Sequence, residues 1–251
     1  MIDIHTHILP HIDDGAQSTA IAKELLLEQQ RQGVTSIVLT PHFYGKTYSP
    51  QRFLRKRDET FACIKELIPD GVELRLGAEI HFTGVNVPEY ADLCSLAIEG
   101  TRYLLVELPF TEKWTSDIMD IIGDFAYETG YTPIIAHVER YREIKKKPHL
   151  VNDFVDMGCL IQVNADSFLD KKDKGFAFAL LRHGLVHCIG SDTHDLETRT
   201  PCLLQAKQAI EAAGYAEEWE KIQQNMKNIL ADEIVETEYV LPVKKFLGRY
   251  R

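Results

Sequence analysis

A short apolar run that ends in His, Asp or Glu recurs along this chain, and it constrains the fold more than any other feature. Residues 2–4 lead into His5-Thr6-His7, residues 34–40 lead through Pro41 into His42, and residues 72–78 lead into Glu79. The theme returns at 103–106 before Glu107, at 132–136 before His137, and at 186–191 before Asp192-Thr193-His194. Short runs rich in β-branched residues read as strands buried on both faces, the habit of parallel sheets. Parallel strands closed into a barrel all end on one face, so side chains far apart in sequence meet there in one pocket.

The intervening segments read as helices. Ser18 offers an N-cap for a helix through Gln32 that stops at Gly33, and Ser49-Pro50 opens another to Ile68. A weaker helix is expected over 87–97, with others over 116–130, 148–158, 174–183, 197–213 and 217–230. A further strand at 159–163 brings the expected count to seven, nearly all followed by helices. Repeated βα units indicate an α/β fold with a parallel sheet, here a distorted or incomplete seven-stranded (β/α) barrel. A doubly wound open sheet is the alternative. No linker, repeat or low-complexity tract is visible. One domain over residues 1–251 is therefore expected, with a short basic tail at 244–251.

Composition narrows the function. The formal charge of −10 argues against a general nucleic-acid binder, which needs basic surface. Bound divalent cations would cancel part of that charge. No apolar stretch approaches the roughly 18 residues of a membrane span, and the first residues lack the pattern of a signal peptide. The five cysteines are odd in number and show no CxxC spacing, which suits a reducing cytoplasm. Cys159 and Cys188 sit in apolar runs and are expected to be buried.

His5 and His7 are two apart, as are Asp192 and His194, and i, i+2 side chains share one face of a strand. A lone His-x-His occurs by accident, and a lone histidine at a strand end is usually a hydrogen-bonded structural group. Several such pieces at successive strand ends point instead to a metal cluster. Four carboxylates, Asp14, Glu79, Glu107 and Asp192, would repel one another in one pocket, and divalent cations remove that conflict. Imidazole and carboxylate without thiolate suit Mn, Fe or Zn. His11, Asp13, His81, His149, His183 and His187 are weaker candidates; His183 and His187 flank a turn and read as solvated. Asn164 and Asp166, at the sixth strand end, read as supporting groups or a turn.

The order of motifs is also recognisable. Asp3-Ile4-His5-Thr6-His7-Ile8-Leu9-Pro10, Asp13-Asp14-Gly15-Ala16, Thr40-Pro41-His42, Gly77-Ala78-Glu79-Ile80, Val106-Glu107-Leu108-Pro109, Ala136-His137-Val138-Glu139-Arg140 and Ser191-Asp192-Thr193-His194 follow in sequence. Together they resemble the bacterial PHP-family manganese-dependent tyrosine-protein phosphatases encoded with capsule and exopolysaccharide genes. The resemblance implies a trinuclear metal centre, with Mn expected and Fe or Zn possible. Its ligands would fall on His5, His7, Asp14, His42, Glu79, Glu107, His137, Asp192 and His194. It further implies hydrolysis of protein phosphotyrosine by a metal-activated hydroxide. The implied partner is the phosphotyrosyl tail of a bacterial tyrosine kinase that controls capsule or exopolysaccharide synthesis.

Arg140 is the expected catalytic and substrate-binding cation, three residues past His137, because a guanidinium fork fits phosphate oxygens. Arg199 is a second candidate for binding the phosphate. A salt bridge from Arg140 to Glu139 or Glu143 is the structural alternative. Other functions compete: a PHP enzyme acting on a small phosphate monoester such as histidinol phosphate, an amidohydrolase-type barrel, or a metal-stabilised binding protein without turnover. No lysine occupies the strand-end position that many amidohydrolases carboxylate, and no cysteine has the Cys-x5-Arg spacing of a thiolate phosphatase.

Overall fold

The structure is a computed structural model, described for residues 1–82, 89–110, 114, 116–246 and 249–250. Nine parallel strands carry the architecture: β1 (Ile2–Thr6), β2 (Ser36–Leu39), β3 (His42–Phe43), β4 (Glu73–Leu76), β5 (Glu79–His81), β6 (Tyr103–Glu107), β7 (Thr132–Ile135), β8 (Leu160–Asn164) and β9 (Cys188–Gly190). They form two ladders, β1-β2-β4 and β3-β5-β6-β7-β8-β9.

The extra strands arise because two expected runs are each interrupted once. The second run breaks at Thr40-Pro41, where proline has no N–H to give a ladder. The third breaks alongside it, at Gly77-Ala78. Register is unchanged across the breaks: Leu39 pairs with Leu76 before them, and His42 pairs with Glu79 after them. Backbone bonds continue from Gly77 N to Leu39 O and from Glu79 N to Pro41 O. The first and last of the parallel strands, β1 and β9, also meet. Asp192 N donates to His5 O at 2.8 Å and His7 N to Thr193 O at 2.9 Å, with a parallel bridge between Thr6 and Thr193.

Every residue of β1, β6 and β8 is buried, as strands covered on both faces require. One apolar cluster runs from Ile2 to Val243. Helix α1 (Thr19–Arg31) is capped by Ser18, whose side chain accepts from Ile21 N, and α2 (Pro50–Ala62) by Ser49, which accepts from Arg52 N. Helix α2 stops short of Ile68; a separate 3-10 turn follows at Lys65–Leu67. Helix α3 is brief (Tyr90–Cys94), and residues 87–88 of the expected helix lie outside the described residues. Helices α4 (Ser116–Thr129), α6 (Leu150–Asp156) and α7 (Lys174–Arg182) fall where expected, while α5 (Arg142–Lys146) was not foreseen. Helix α8 (Leu203–Ala212) starts later than residue 197, because Pro201 ends a loop that holds Arg199. Helix α9 (Ala216–Leu230) braces the first strand, with Ile2 N donating to the Gln223 side chain. The basic tail is not loose: β10 (Lys245–Phe246) and β11 (Arg249–Tyr250) form an antiparallel pair. Among the described residues, no helix is long and apolar enough to cross a membrane.

Candidate metal centre

The strand ends gather all nine expected ligands. Three overlapping sets can each place ligand atoms within 4.8 Å of one another: His7, Asp14, His42 and His194; His5, His7 and Asp192; His42, Glu79 and Glu107. His137 joins through Nε2, 2.9 Å from Glu79 Oε1 and 3.5 Å from Glu107 Oε1. His5 and His7 leave β1 on one face, as their spacing foretold, with Nε2 atoms 3.1 Å apart. Glu79 Oε2 lies 3.4, 3.3 and 2.8 Å from ring nitrogens of His5, His7 and His42.

Local backbone brings these groups close at some cost. His137 and Asp192 both have left-handed φ, +33° and +52°, an uncommon state for residues other than glycine. Two glycines permit close packing. A Cβ on Gly190 would lie 2.4 Å from His5 Cβ, and one on Gly15 would lie 2.0 Å from His7 O.

The donor set suits a cation. Glu79 Oε2, His42 Nδ1 and His194 Nε2 are buried and make no hydrogen bond of good geometry, although ionic partners stand close by. Lone pairs from imidazole and carboxylate therefore point into shared space, which is what divalent metals bind. Burial opposes charge on His7, but Asp13 and Glu79 outweigh it and raise the ring to about 10. Burial likewise opposes ionisation of Glu79 and Asp192, yet the facing histidines hold both carboxyls well below their ordinary range. Asp14 is also held down, chiefly by the His194 ring close beside it.

The neighbouring aspartates divide the work. Asp14 is exposed and faces Nε2 of His42 and His194 at 3.4 and 3.3 Å. Asp13 instead holds His7 Nδ1 at 2.7 Å and accepts from the backbone N of Gly15 and His42. A carboxylate behind a histidine fixes the ring's orientation and raises its basicity. His81 Nδ1 stands 2.9 Å from Glu107 Oε2 and helps orient that carboxylate. Asn164 is a supporting group: its amide donates to Asp192 Oδ2 at 2.8 Å. Asp166 lies nearby on the 3-10 turn Ala165–Phe168. Gln162 went unnoticed in the sequence. Its Oε1 faces His5 Nδ1 at 3.2 Å and accepts from His137 N at 2.8 Å, while Nε2 donates to Asn164. Extending the i, i+2 rule back from Asn164 along β8 would have found it.

His187 corrects an expectation. It is buried, its Nδ1 accepts from Ile161 N at 3.0 Å, and desolvation pulls it down to about 4. His183 is partly exposed and bonds Leu241 O, while His11 and His149 are exposed away from the ligand sets. All five cysteines are free, with Cys159 and Cys188 buried as expected.

Both arginines arrive at this centre. Arg140 Nη1 donates to Asp192 Oδ2 at 2.9 Å and Arg199 Nη2 to Asp192 Oδ1 at 2.6 Å. The expected alternative for Arg140 was a pair with Glu139 or Glu143; among the described residues Arg140 pairs with Asp192, and Glu143 lies 2.8 Å from Lys146 Nζ. Glu139 is buried, accepts from Asn164 N and Ser167 Oγ, and is pushed up to about 8 by burial. A cavity of about 310 Å³ opens beside Asp192, lined by Arg140, Arg199, Asn164, Asp166 and Thr198. It joins two fixed cations to a cluster of metal-type donors.

Comparison with known proteins gives this centre a setting. The chain is similar to the tyrosine-protein phosphatase YwqE of Bacillus subtilis, 31% identical over 250 residues, covering 98% of this chain and 97% of the relative. It is similar to the tyrosine-protein phosphatase CpsB of Streptococcus pneumoniae at 31% identity, covering 94% and 100%. A crystal structure from work on YwqE and CpsB, described as metal-dependent tyrosine phosphatases, superposes with a TM-score of 0.86 at 30% identity, covering 98% and 100%. A histidinol phosphate phosphatase from Lactococcus lactis shares the fold more distantly, with a TM-score of 0.52 at 14% identity over 85% and 94%. The family described as capsular polysaccharide synthesis, CpsB/CapC, matches residues 1–231. With the match spanning most of the chain, from His5 through His194, the protein belongs to the CpsB/CapC family.

Proposed function

We propose that this protein is a metal-dependent protein-tyrosine phosphatase serving capsule or exopolysaccharide synthesis, as its similarity to YwqE and CpsB indicates. The observation that carries the chemistry is the overlap of three donor sets through His7 and His42. That overlap supports three divalent ions, Mn by ligand type, held by His5, His7, Asp14, His42, Glu79, Glu107, His137, Asp192 and His194. The two ladders of β1 to β9 are then read as a distorted seven-stranded barrel of the PHP type, residues 1–251 forming one domain. Its two interrupted strands count once each, and the β1–β9 contact closes the ring.

Bound ions would supply a hydroxide-like nucleophile at neutral pH and neutralise phosphate charge. The chain's own groups do the rest. Arg140 and Arg199 face the cavity as preorganised donors for the equatorial phosphate oxygens, where charge builds during transfer. Asp192 orients both guanidinium groups. Asp13, His81, Gln162 and Asn164 keep the ligands in place. The tyrosyl leaving oxygen, with a pKa near 10, needs less protonation than an alkyl alcohol. The natural substrate in this reading is the phosphotyrosyl tail of a bacterial tyrosine kinase, met in the cytoplasm.

The test is metal content measured beside phosphate release. Chelation should abolish hydrolysis of a phosphotyrosyl peptide, and Mn should restore most of it. Full activity after thorough metal removal ends the metal reading. Faster turnover of histidinol phosphate than of the peptide would assign the enzyme to small phosphate monoesters.

A further inference from the structure

Phe110 is one of few large apolar side chains left exposed, and it stands beside the centre rather than on a remote surface. Its ring stacks on His137 with centroids 5.4 Å apart at 26°, and packs on Tyr141 at 5.1 Å. The Arg140 guanidinium carbon lies 4.9 Å from its centroid. The segment carrying it is anchored: Leu108 N donates to the Tyr141 hydroxyl, and Trp114 Nε1 donates to Pro109 O. A ring held this firmly, yet 37% exposed, is preorganised to receive a partner. Among the described residues, Tyr44, 40% exposed, packs instead on His42 and His81.

An aryl phosphate carries its ring one oxygen away from phosphorus. A phosphate on Arg140 therefore brings that ring alongside Phe110, within the roughly 4.5–7 Å over which offset aromatic pairs attract. An alkyl phosphate brings nothing to stack. We propose that Phe110 is a specificity residue whose exposed side takes the aryl ring of the phosphotyrosyl substrate while Arg140 takes the phosphate. This rests on the tyrosine-phosphatase reading and adds to it the group that selects an aromatic ester.

The test uses the full, metal-loaded chain with two non-hydrolysable probes, benzylphosphonate and ethylphosphonate, beside a phosphotyrosyl peptide. Phe110→Ala should raise KM for the peptide about tenfold and weaken benzylphosphonate by a similar factor. It should leave ethylphosphonate inhibition and metal content unchanged. Equal weakening of both phosphonates would overturn the proposal, since Phe110 would then only steady Arg140, and the phosphatase reading would survive. Failure of the wild-type enzyme to hydrolyse the peptide would sink that reading and the proposal with it. Phe110→Leu, which keeps apolar bulk without a π face, carries the same comparison if the Ala variant does not fold. Its loss should be smaller but again confined to the benzyl probe, and an equal effect on both probes counts against the proposal.

Discussion

Gly190→Ala tests how tightly the centre is set by backbone packing. The added methyl would sit 2.4 Å from His5 Cβ, 3.2 Å from His5 N and 3.3 Å from Gln162 Nε2, where ordinary contact begins near 3.4 Å. His5 or the end of β9 must therefore yield by about 1 Å, and His5 O is also bonded to Asp192 N. Overpacking of this kind costs about 1–3 kcal/mol, or roughly 2–12 °C in Tm for a chain of this size. The larger effect should be on function. Moving a reacting group by about 1 Å can cost about a hundredfold in rate, and His5 belongs to the ligand sets. Thermal unfolding, metal content and phosphatase rate should be measured on the variant beside Gly175→Ala. Gly175 lies in α7 with nothing within 4 Å of an added Cβ, so that change should leave Tm level or raise it. If Gly190→Ala matched wild type in Tm, metal content and rate, the argument that close approach fixes His5 would be wrong.

Other outcomes are expected. Arg140→Ala should keep its metals while losing about 10²–10³ in kcat, with Arg140→Lys recovering only part; wild-type turnover would pass the role to Arg199. Asp13→Asn should weaken metal binding by about 10–100-fold, read by competition with a chelating dye, and unchanged affinity would show that His7 needs no carboxylate behind it. Burial holds His187 at about 4, so the folded chain refuses a proton that the unfolded chain takes from 6.5 downward. That contribution to stability is whole above 6.5 and is lost as pH falls toward 4. His187→Gln should flatten this part of the Tm profile relative to wild type, and parallel profiles would contradict the assignment.

The gathering of these metal-type side chains was legible in the sequence because two simple periodicities carried it. Strand ends mark one face of a parallel sheet, and i, i+2 spacing sets His5 with His7 and Asp192 with His194. Packing partners were harder to read. Asp13 and Asp14 look alike in sequence, and only the loop at Gly15 turns one toward His7 and the other toward His42 and His194. Gln162 lies inside an apolar run, where an amide carries no obvious signal. The helix expected from residue 197 failed because Thr198, Arg199 and Glu197 bond the Asp195 side chain instead, a local alternative to helical bonds. His187 was misread because a turn nearby suggested water, whereas its ring serves the backbone of Ile161.

The contact between β1 and the end of β9 has a bearing on biosynthesis. Asp192 N meets His5 O, and Ile2 N meets Gln223, so segments far apart in sequence must both be present before these strand ends can gather. During translation, β1 can pair with β2 early, while His5 and His7 wait for Asp192 and His194 to leave the ribosome. Such distant pairings form late and slow the final folding step. A chain made only past β1 thus holds His5 and His7 without Asp192 beside them. The donor set of His5, His7 and Asp192 is assembled only once β9 has been made, so any ion taken by the proposed centre meets all of these groups only at that stage.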